Sequence, residues 1–303
     1  MNTEERFCDT GHGIRICYQI AGPVDAPPVA LIAGLGYDLY SWPEQLIDGL
    51  RAAGLRVLVF DNRDAGRSSR ALTPPPTKRQ QLLRRPPAGN YDLDDMAGDT
   101  IALLDHLEMA SVHLVGMSLG GMIAQCIASL HPERVRSLTS IFSTTGDRRV
   151  GQPARSTMLR FAKPQSTSAR SNARRHVAML RHIGSRVYPY ELDWETAWAI
   201  RSWERGDGTS IGAGAARQIA AIHKSADRTS SLRRVVAPTL VIHGDRDRMV
   251  HPTGGLATAR AIPGADHVTI PGMRHHLSPG VSPRLVQLIT GHIGAAERRL
   301  ELR

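Results

Sequence analysis

Short apolar runs rich in β-branched residues recur along the chain and alternate with longer stretches whose apolar residues have helical spacing. The runs are "VALIAG", "RVLVFD", "VHLVG", "LTSIFS", "TLVIHG" and "HVTIPG". Such alternation predicts a mostly parallel sheet with helices on both faces. Ahead of them, "ERFCDT" and "IRICYQI" flank a Gly-His-Gly turn and predict an antiparallel hairpin at the sheet edge. The pattern therefore indicates an α/β protein.

The strand pattern is interrupted in residues 146–211. Three stretches there have helical spacing: "PARSTMLRFA", "SARSNARRHVAML" and "LDWETAWAIRSWERG". We therefore divide the chain into a core, residues 1–145 and 212–303, and a helical insertion, residues 146–211. Trp194 and Trp198 are four residues apart, so they share one helix face. A second irregular stretch, "LTPPPTKRQQLLRRPPAGN", is rich in proline and basic residues. We expect it to run, with the insertion, over the entrance to the functional site.

The chain is strongly basic, and the excess charge is unevenly placed. It has 38 Lys and Arg residues against 28 Asp and Glu residues, which gives a net charge of +10. Residues 148–190 alone contain ten basic residues and no acidic one. Aromatic residues are sparse and do not interleave with the basic runs, so we predict no nucleic-acid partner. The basic segment is either a solvated surface or a region that attracts anionic substrates or a membrane surface.

Other features bear on compartment and cofactors. No run approaches 18 consecutive apolar residues, so no membrane span is predicted. The start, "MNTEERFCDT", lacks the apolar core of a signal peptide. Cys8, Cys17 and Cys126 suit a cytoplasmic protein. If the hairpin turns at His12 and Gly13, Cys8 and Cys17 would face each other, close enough to oxidise, although reduced packing residues are favoured in that compartment. No histidine or cysteine spacing matches a metal site, so we expect no metal, and the oligomeric state stays open.

The clearest chemical signal is "VGMSLGG" at residues 115–121, in which glycines surround Ser118. A strand-like run precedes this serine, and a helical stretch follows it. Gly116 and Gly120 leave room for a sharp turn, because a Cβ at either position would crowd the backbone. This G-x-S-x-G arrangement predicts a nucleophile elbow that exposes the Ser118 hydroxyl at the end of a strand.

A serine hydroxyl is a weak nucleophile, so it needs a base and an acid that orients the base. In chain order the elbow predicts Ser, then Asp or Glu, then His. The loop after "TLVIHG" offers Asp245 and Asp247, and the loop after "HVTIPG" offers His275 and His276. The spacing alone does not choose within either pair.

The motifs together resemble the α/β-hydrolase family, in particular cofactor-free bacterial esterases related to the aclacinomycin methylesterases. The matching stretches cover nearly the whole chain; they are "LIAGLGYDLYSW", "VFDNRDAGRSSR", "VGMSLGGMIAQCIASLHPERVRSLTSIFSTTGD", "APTLVIHGDRDRMV" and "IPGMRHH". The resemblance implies a mostly parallel eight-stranded sheet with helices on both faces and a helical cap formed by the insertion. It also implies that no cofactor is needed.

The resemblance assigns roles to particular residues. It implies that Asp247, in the G-x-x-D position after the seventh strand, is the acid, with Asp245 as the competitor. It implies that His275 is the base, with His276 as the competitor. The family's "GMGH" turn is "GMRHH" here, so Arg274 replaces a glycine. That departure could perturb the pKa of the base or contact the substrate.

An oxyanion hole needs two backbone N–H donors. One donor is expected from Leu119, directly after the nucleophile, and the resemblance places the other at Leu35, after Ala33 and Gly34. Since the backbone donates, a leucine side chain is acceptable at both positions. The predicted pocket-lining residues are Gly34, Trp194 and Trp198.

The resulting prediction is a serine hydrolase that cleaves a small-molecule carboxylic ester through Ser118, His275, Asp247 and an acyl-enzyme intermediate. The fold also hosts lactonases, thioesterases and perhydrolases with the same three side chains, so those reactions stay open. A ligand receptor that keeps the triad is the alternative from another functional class. The sequence does not name the natural substrate.

Overall fold

The computed structural model describes residues 4–11, 13–161, 166–206, 208 and 211–302. Within them, eight strands form one sheet in the order β1-β2-β4-β3-β5-β6-β7-β8. Strands β1 and β2 are antiparallel to their neighbours and the rest are parallel, which confirms the predicted architecture. The strands are β1 (Arg6–Asp9), β2 (Arg15–Ala21), β3 (Pro28–Ile32), β4 (Arg56–Phe60), β5 (Val112–Met117), β6 (Val135–Ile141), β7 (Thr239–Gly244) and β8 (Asp266–Ile270).

Helices cover both faces of the sheet, so the central strands β3, β4, β5 and β6 are buried at almost every position. Ala30 and Ile32 of β3 point to one face, and Val29 and Leu31 point to the other. The helices are α1 (Glu44–Ala52), α2 (Lys78–Leu82), α3 (Leu93–His106), α4 (Leu119–Leu130), α5 (Arg155–Phe161), α6 (Ala169–Ile183), α7 (Leu192–Arg205), α8 (Ile211–Ser225), α9 (Thr229–Leu232), α10 (Thr253–Ala261) and α11 (Ser282–Glu301). Helices α1 and α11 pack on one face, and α3, α4, α8, α9 and α10 contribute to the other.

The strand order positions the site. Strand β3 lies between β4 and β5, so the chain leaves β3 in one direction and later crosses to its other side. Ile32 is paired with Gly116, so β3 and β5 end side by side. Loops that follow such adjacent parallel strands form a crevice at the carboxyl edge of the sheet. The segment after Ile32 and the turn at Ser118 therefore meet there.

The expectation that Cys8 and Cys17 face each other is wrong. In the hairpin Cys8 is paired with Ile16, and Cys17 is paired with Phe7. Because neighbouring side chains of a strand point to opposite faces, this one-residue offset separates the two thiols. They lie in different core clusters, and both are free and buried. The turn residue His12 lies outside the described residues.

Helices α5, α6 and α7 follow β6 in the predicted insertion, whose residues 162–165, 207, 209 and 210 lie outside the described residues. An ion-pair network ties the end of α7 to the core. The Arg205 guanidinium is 2.8 Å from Asp61 Oδ2 and 2.8 Å from Glu5 Oε1. The buried Asp61 carboxylate also accepts from the N–H groups of Leu39 and Arg67. Asp61 therefore holds three segments together.

The close crossing of α4 over β3 leads to a prediction about the free energy of unfolding. A Cβ on Gly120 would lie 1.9 Å from the backbone oxygen of Ile32, whereas a Cβ on the exposed Gly98 of α3 would meet nothing within 4 Å. We expect Gly120→Ala to lower the free energy of unfolding by more than about 3 kcal/mol or to prevent folding, because backbone must move. Gly98→Ala should raise it by about 0.5–1 kcal/mol through helix propensity. Urea unfolding of both variants tests this, and similar effects at the two positions would contradict it.

Candidate active site

Ser118 sits on a sharp turn between β5 and α4. Its φ of 54° and ψ of −117° place it in a region that residues with side chains rarely adopt. Such a conformation costs about 1–3 kcal/mol and persists only where its surroundings enforce it. Here the Ser118 N–H donates to the Ile141 carbonyl, and the Ser118 carbonyl accepts from the Ser143 hydroxyl. A Cβ on Gly116 would lie 2.3 Å from the Gly120 oxygen, so this close turn requires glycine.

A continuous chain of hydrogen bonds runs from Ser118 through His275 to Asp247. His275 Nε2 is 3.0 Å from Ser118 Oγ, and His275 Nδ1 is 2.7 Å from Asp247 Oδ2. An ionised carboxylate can only accept, so Nδ1 donates to it, and a neutral imidazole then has Nε2 free to accept from the serine. The other Asp247 oxygen accepts from the N–H groups of Met249 and Val250.

The carboxyl group of Asp247 is held in its ionised form. Burial by itself would raise its pKa. The attraction of His275 and the hydrogen bonds from His243 and His275 outweigh burial and lower the pKa to about 2. The ring of Phe142 lies against His275, with the two ring centres 4.3 Å apart. The imidazole is therefore held both at its nitrogen and at its face.

The structure does not bring the competing residues to the serine. Asp245 accepts from the Gly272 N–H at 2.6 Å and lies near the exposed Arg246. His276 Nε2 is 2.9 Å from a carboxylate oxygen of Glu195 on α7. Asp245 thus stabilises the loop that carries the histidines, and His276 faces the insertion.

Arg274 also faces the insertion. Its guanidinium donates to the carbonyls of His182 and Gly184, at 3.3 and 3.4 Å, where α6 ends. A cation is favourable there because the last carbonyls of a helix lack partners. The next residue, His275, donates its backbone N–H to Ile183. Arg274 is not among the residues that line the cavity at Ser118, so of the two possible effects of this departure, substrate contact finds no support.

The predicted donor residues Leu35 and Leu119 both line the cavity that contains Ser118. Leu119 is the first residue of α4, and the first N–H groups of a helix have no partner within it. A Cβ on Gly34 would lie 3.5 Å from the Ser118 Cβ, so the loop after β3 is in contact with the serine. Both backbone segments are therefore next to the hydroxyl.

The cavity has a volume of about 1850 Å³ and a mostly apolar wall. This exceeds the roughly 300–1000 Å³ typical of small-molecule pockets. Trp198 is 6% exposed and packs edge-on against Tyr37, with ring centres 5.4 Å apart. Trp194 is 37% exposed and lies toward the surface. Further lining residues are Leu35, Met122, Phe142, Met179, Ile219 and Met249.

Sequence reasoning missed a buried carboxylate in this wall. Glu195 of α7 accepts from His176 Nε2 of α6 at 2.8 Å and also contacts His276. Burial by itself would raise the pKa of Glu195, but the hydrogen bonds from the two histidines lower it to about 2. Glu195 precedes Trp198 by three residues, so helical spacing already placed an acidic side chain on the inward face.

Among the residues that the structure describes, no three His, Cys, Asp or Glu side chains are grouped to hold a metal ion. No described helix is both long enough and apolar enough to span a bilayer.

Known proteins share this sequence pattern over most of its length. A model of the α/β-hydrolase fold family matches residues 27–279. The chain is 31% identical over 301 residues to rhodomycin D methylesterase DnrP of Streptomyces peucetius, which covers 91% of this chain and 94% of that protein. It is 30% identical over 305 residues to rhodomycin D methylesterase DauP of Streptomyces sp. strain C5, with the same coverage.

A solved structure has the same fold. A hydrolase from Pseudomonas aeruginosa PA01 matches with a TM-score of 0.70 and 25% identity, over 98% of this chain and 99% of that one. These findings confirm the predicted resemblance and the expectation of a hydrolase. By its sequence pattern, its sheet order and its relatives, the chain belongs to the α/β-hydrolase family.

Proposed function

We propose that the protein is a serine esterase that cleaves a carboxylic ester through an acyl-enzyme intermediate. The observation that carries the proposal is the chain of hydrogen bonds from Ser118 through His275 to the ionised Asp247. Methylesterases among its relatives support an ester as the substrate, and a methyl ester as its form.

In the first half-reaction Ser118 Oγ attacks the ester carbonyl carbon, and His275 Nε2 takes the hydroxyl proton. Asp247 holds the imidazole and stabilises its cation. The carbonyl oxygen becomes an oxyanion that accepts from the N–H groups of Leu119 and Leu35. The carbon–oxygen bond then breaks, and His275 returns the proton to the leaving alcohol.

In the second half-reaction water takes the place of the alcohol. His275 removes a proton from the water, whose oxygen attacks the acyl carbon and forms a second oxyanion in the same site. Collapse of this intermediate releases the carboxylic acid, and His275 returns the proton to Ser118 Oγ. No oxidant, reductant or cofactor is needed to balance either half.

We further propose that the insertion, residues 146–211, acts as a cap that encloses a bulky apolar part of the ester. Trp194 and Trp198 of α7, with Gly34 of the core, would line this pocket. The contact of Glu195 with His276 supports the proposal, because it joins α7 to the loop that carries His275. A large apolar wall would hold an extended or polycyclic acyl or alcohol group by burial of its surface.

The nucleophile is the first test. The wild type should hydrolyse a series of nitrophenyl esters faster than a matched lactone or thioester. Ser118→Ala should lower kcat by about 10⁴-fold or more without changing the circular dichroism spectrum. A phosphonate probe should label Ser118 alone. Activity retained by the variant, or multiple turnover of the lactone or thioester above that of the esters, would contradict the assignment.

The acid and the base are tested by substitution, with Asp245 as the matched control for Asp247. Asp247→Asn and His275→Ala should each lower kcat by about 10³-fold or more, because the first changes the imidazole tautomer and the second removes the base. Asp245→Asn should change kcat less than about tenfold, because an amide oxygen can still accept from the Gly272 N–H. Steady-state kinetics decide between them, and a larger loss at Asp245 than at Asp247 would contradict the proposed roles.

The buried Glu195 carboxylate leads to a prediction about how the free energy of unfolding depends on pH. Its folded-state pKa of about 2 lies below the ordinary 4.5, so the ionised carboxylate stabilises the fold above about pH 4.5. That contribution is lost as the pH falls from about 4.5 toward 2. Glu195→Gln should therefore lower the free energy of unfolding by about 2–3 kcal/mol at pH 6, and by progressively less below pH 4.

The exposed Glu204 on the same helix is the control. Glu204→Gln should change the free energy of unfolding by less than about 0.5 kcal/mol at every pH. Urea titrations of both variants between pH 3 and pH 6 give the comparison. A loss in Glu195→Gln that stays constant down to pH 3 would show that the carboxylate has no such linkage.

A further inference from the structure

The mouth of the cavity exposes several large apolar side chains. Leu82 of α2 is 84% exposed and Leu159 of α5 is 73% exposed, yet both line the cavity that contains Ser118. Met158 lies beside Leu159 and is also exposed and lines the cavity. Leu72 and Leu83 are exposed on the segment that carries α2, but they do not line the cavity themselves. We call these five residues the apolar rim. Clustered exposed apolar side chains are typical of interaction surfaces.

The two segments of the rim are joined across the mouth. The guanidinium of Arg84, directly after Leu83, donates to the side chain of Gln152, shortly before α5, at 3.2 Å. Helix α2 buries none of its residues, and a capping box between Thr77 and Gln80 satisfies its first N–H groups. Because α2 contributes nothing to the core, packing does not account for its leucine side chain.

Basic side chains surround the rim and lack acidic partners. On the α2 segment they are Lys78, Arg79, Arg84 and Arg85, and residues 71–91 contain no acidic residue. The second segment belongs to the acid-free run of residues 148–190, with Arg155 at the start of α5. Among the described residues none of these five side chains forms an ion pair; by contrast, Arg149 pairs with Asp147. The α2 segment and the start of α5 are therefore both apolar and cationic, while Glu44, Asp147 and Glu191 line other parts of the cavity.

We propose that this mouth docks on an anionic lipid bilayer, with the apolar rim inserted at the headgroup level and the basic side chains at the lipid phosphates. Each lysine or arginine near an anionic surface contributes about 1 kcal/mol to binding, and inserted leucines add apolar burial. Nucleic acid would match the charge but would leave the leucines in water. Helices α2 and α5 are short, and their apolar residues line an opening. A flat, fluid surface therefore fits them better than the groove of a partner protein.

Docking would also deliver substrate, a consequence that rests on the proposed esterase function. A cavity with a large apolar wall selects lipophilic esters, and such esters partition from water into bilayers. A mouth that lies on the bilayer lets the ester move from lipid to Ser118 without exposure to water. Docking itself does not depend on turnover, so the two ideas can fail separately.

The direct test is cosedimentation of the Ser118→Ala protein with vesicles. It should bind vesicles of equal parts phosphatidylglycerol and phosphatidylcholine at 0.1 M salt, bind pure phosphatidylcholine about tenfold or more weakly, and bind less in 1 M salt. The double variants Leu72→Asp with Leu83→Asp, and Arg79→Glu with Arg85→Glu, should each weaken binding to the anionic vesicles by about tenfold or more. None of these four residues lines the cavity.

The far end of α11 offers matched controls, because it also carries exposed arginines and leucines. Leu300→Asp with Leu302→Asp, and Arg298→Glu with Arg299→Glu, should leave vesicle binding within about twofold. Equal losses from the two ends would show only nonspecific attraction and would overturn the proposal. An absence of vesicle binding would also overturn the proposal. A third contrary result is binding that polyglutamate abolishes but that the Leu72→Asp with Leu83→Asp variant retains, because negative charge without apolar groups would then be sufficient for binding.

A kinetic test separates docking from catalysis. In an otherwise wild-type chain, both double variants of the α2 segment should keep the kcat/KM for a water-soluble acetate ester. They should lose about tenfold in rate on a long-chain ester held in anionic vesicles. Equal rates on the vesicle-bound ester would overturn the delivery role. Failure of the chain to hydrolyse either ester would overturn the esterase proposal and leave the vesicle-binding result to stand by itself.

Discussion

The site depends on one close backbone contact, in which α4 crosses the end of β3. The carbonyl of Ile32 lies where a Cβ of Gly120 would be, so the helix approaches closer than any residue with a side chain would allow. With Gly116 equally close to the start of α4, the chain turns within one residue, and Ser118 takes a positive φ. The same contact brings the loop after β3 against the serine. Steric exclusion at two glycines thus sets the direction of the hydroxyl and the place of its neighbouring N–H groups.

Polar contacts connect helices α6 and α7 to this frame, and each involves a charged side chain. Arg205 of α7 meets Asp61, Glu195 of α7 meets His276, and Arg274 meets the end of α6. Buried charges are stable only when they are paired, so these contacts specify the positions of α6 and α7 more strictly than apolar packing would. The wall of the cavity and the loop of His275 therefore form one connected structure.

Local patterns predicted much of the fold and part of the site. Apolar runs bounded by turns placed the strands, since a strand covered on both faces is buried along its length and favours apolar residues. The glycines around Ser118 predicted the turn. The steric requirement of Gly116 is local, since its Cβ would meet Gly120 and Gly121, whereas that of Gly120 comes from Ile32 on a distant strand. Spacing left Asp245 and His276 as open alternatives to Asp247 and His275. The direction in which a loop side chain points depends on hydrogen bonds from distant segments, and spacing does not reveal these. The register in which β1 pairs with β2 also separates Cys8 from Cys17. The residues of one strand do not set that register by themselves.

Local sequence is enough to predict the α/β class and the order of the elements from periodicity, and to predict the turn at Ser118 from the steric requirement of Gly116 against its near neighbours. Packing between distant segments selects the acid and the histidine that reach the serine, places Arg274 at the end of a helix, and buries Glu195 between two histidines. Those outcomes depend on groups that lie 19 to 157 positions apart in the chain. Their free energies arise from desolvation and pairing that exist only once the core and the insertion are packed together.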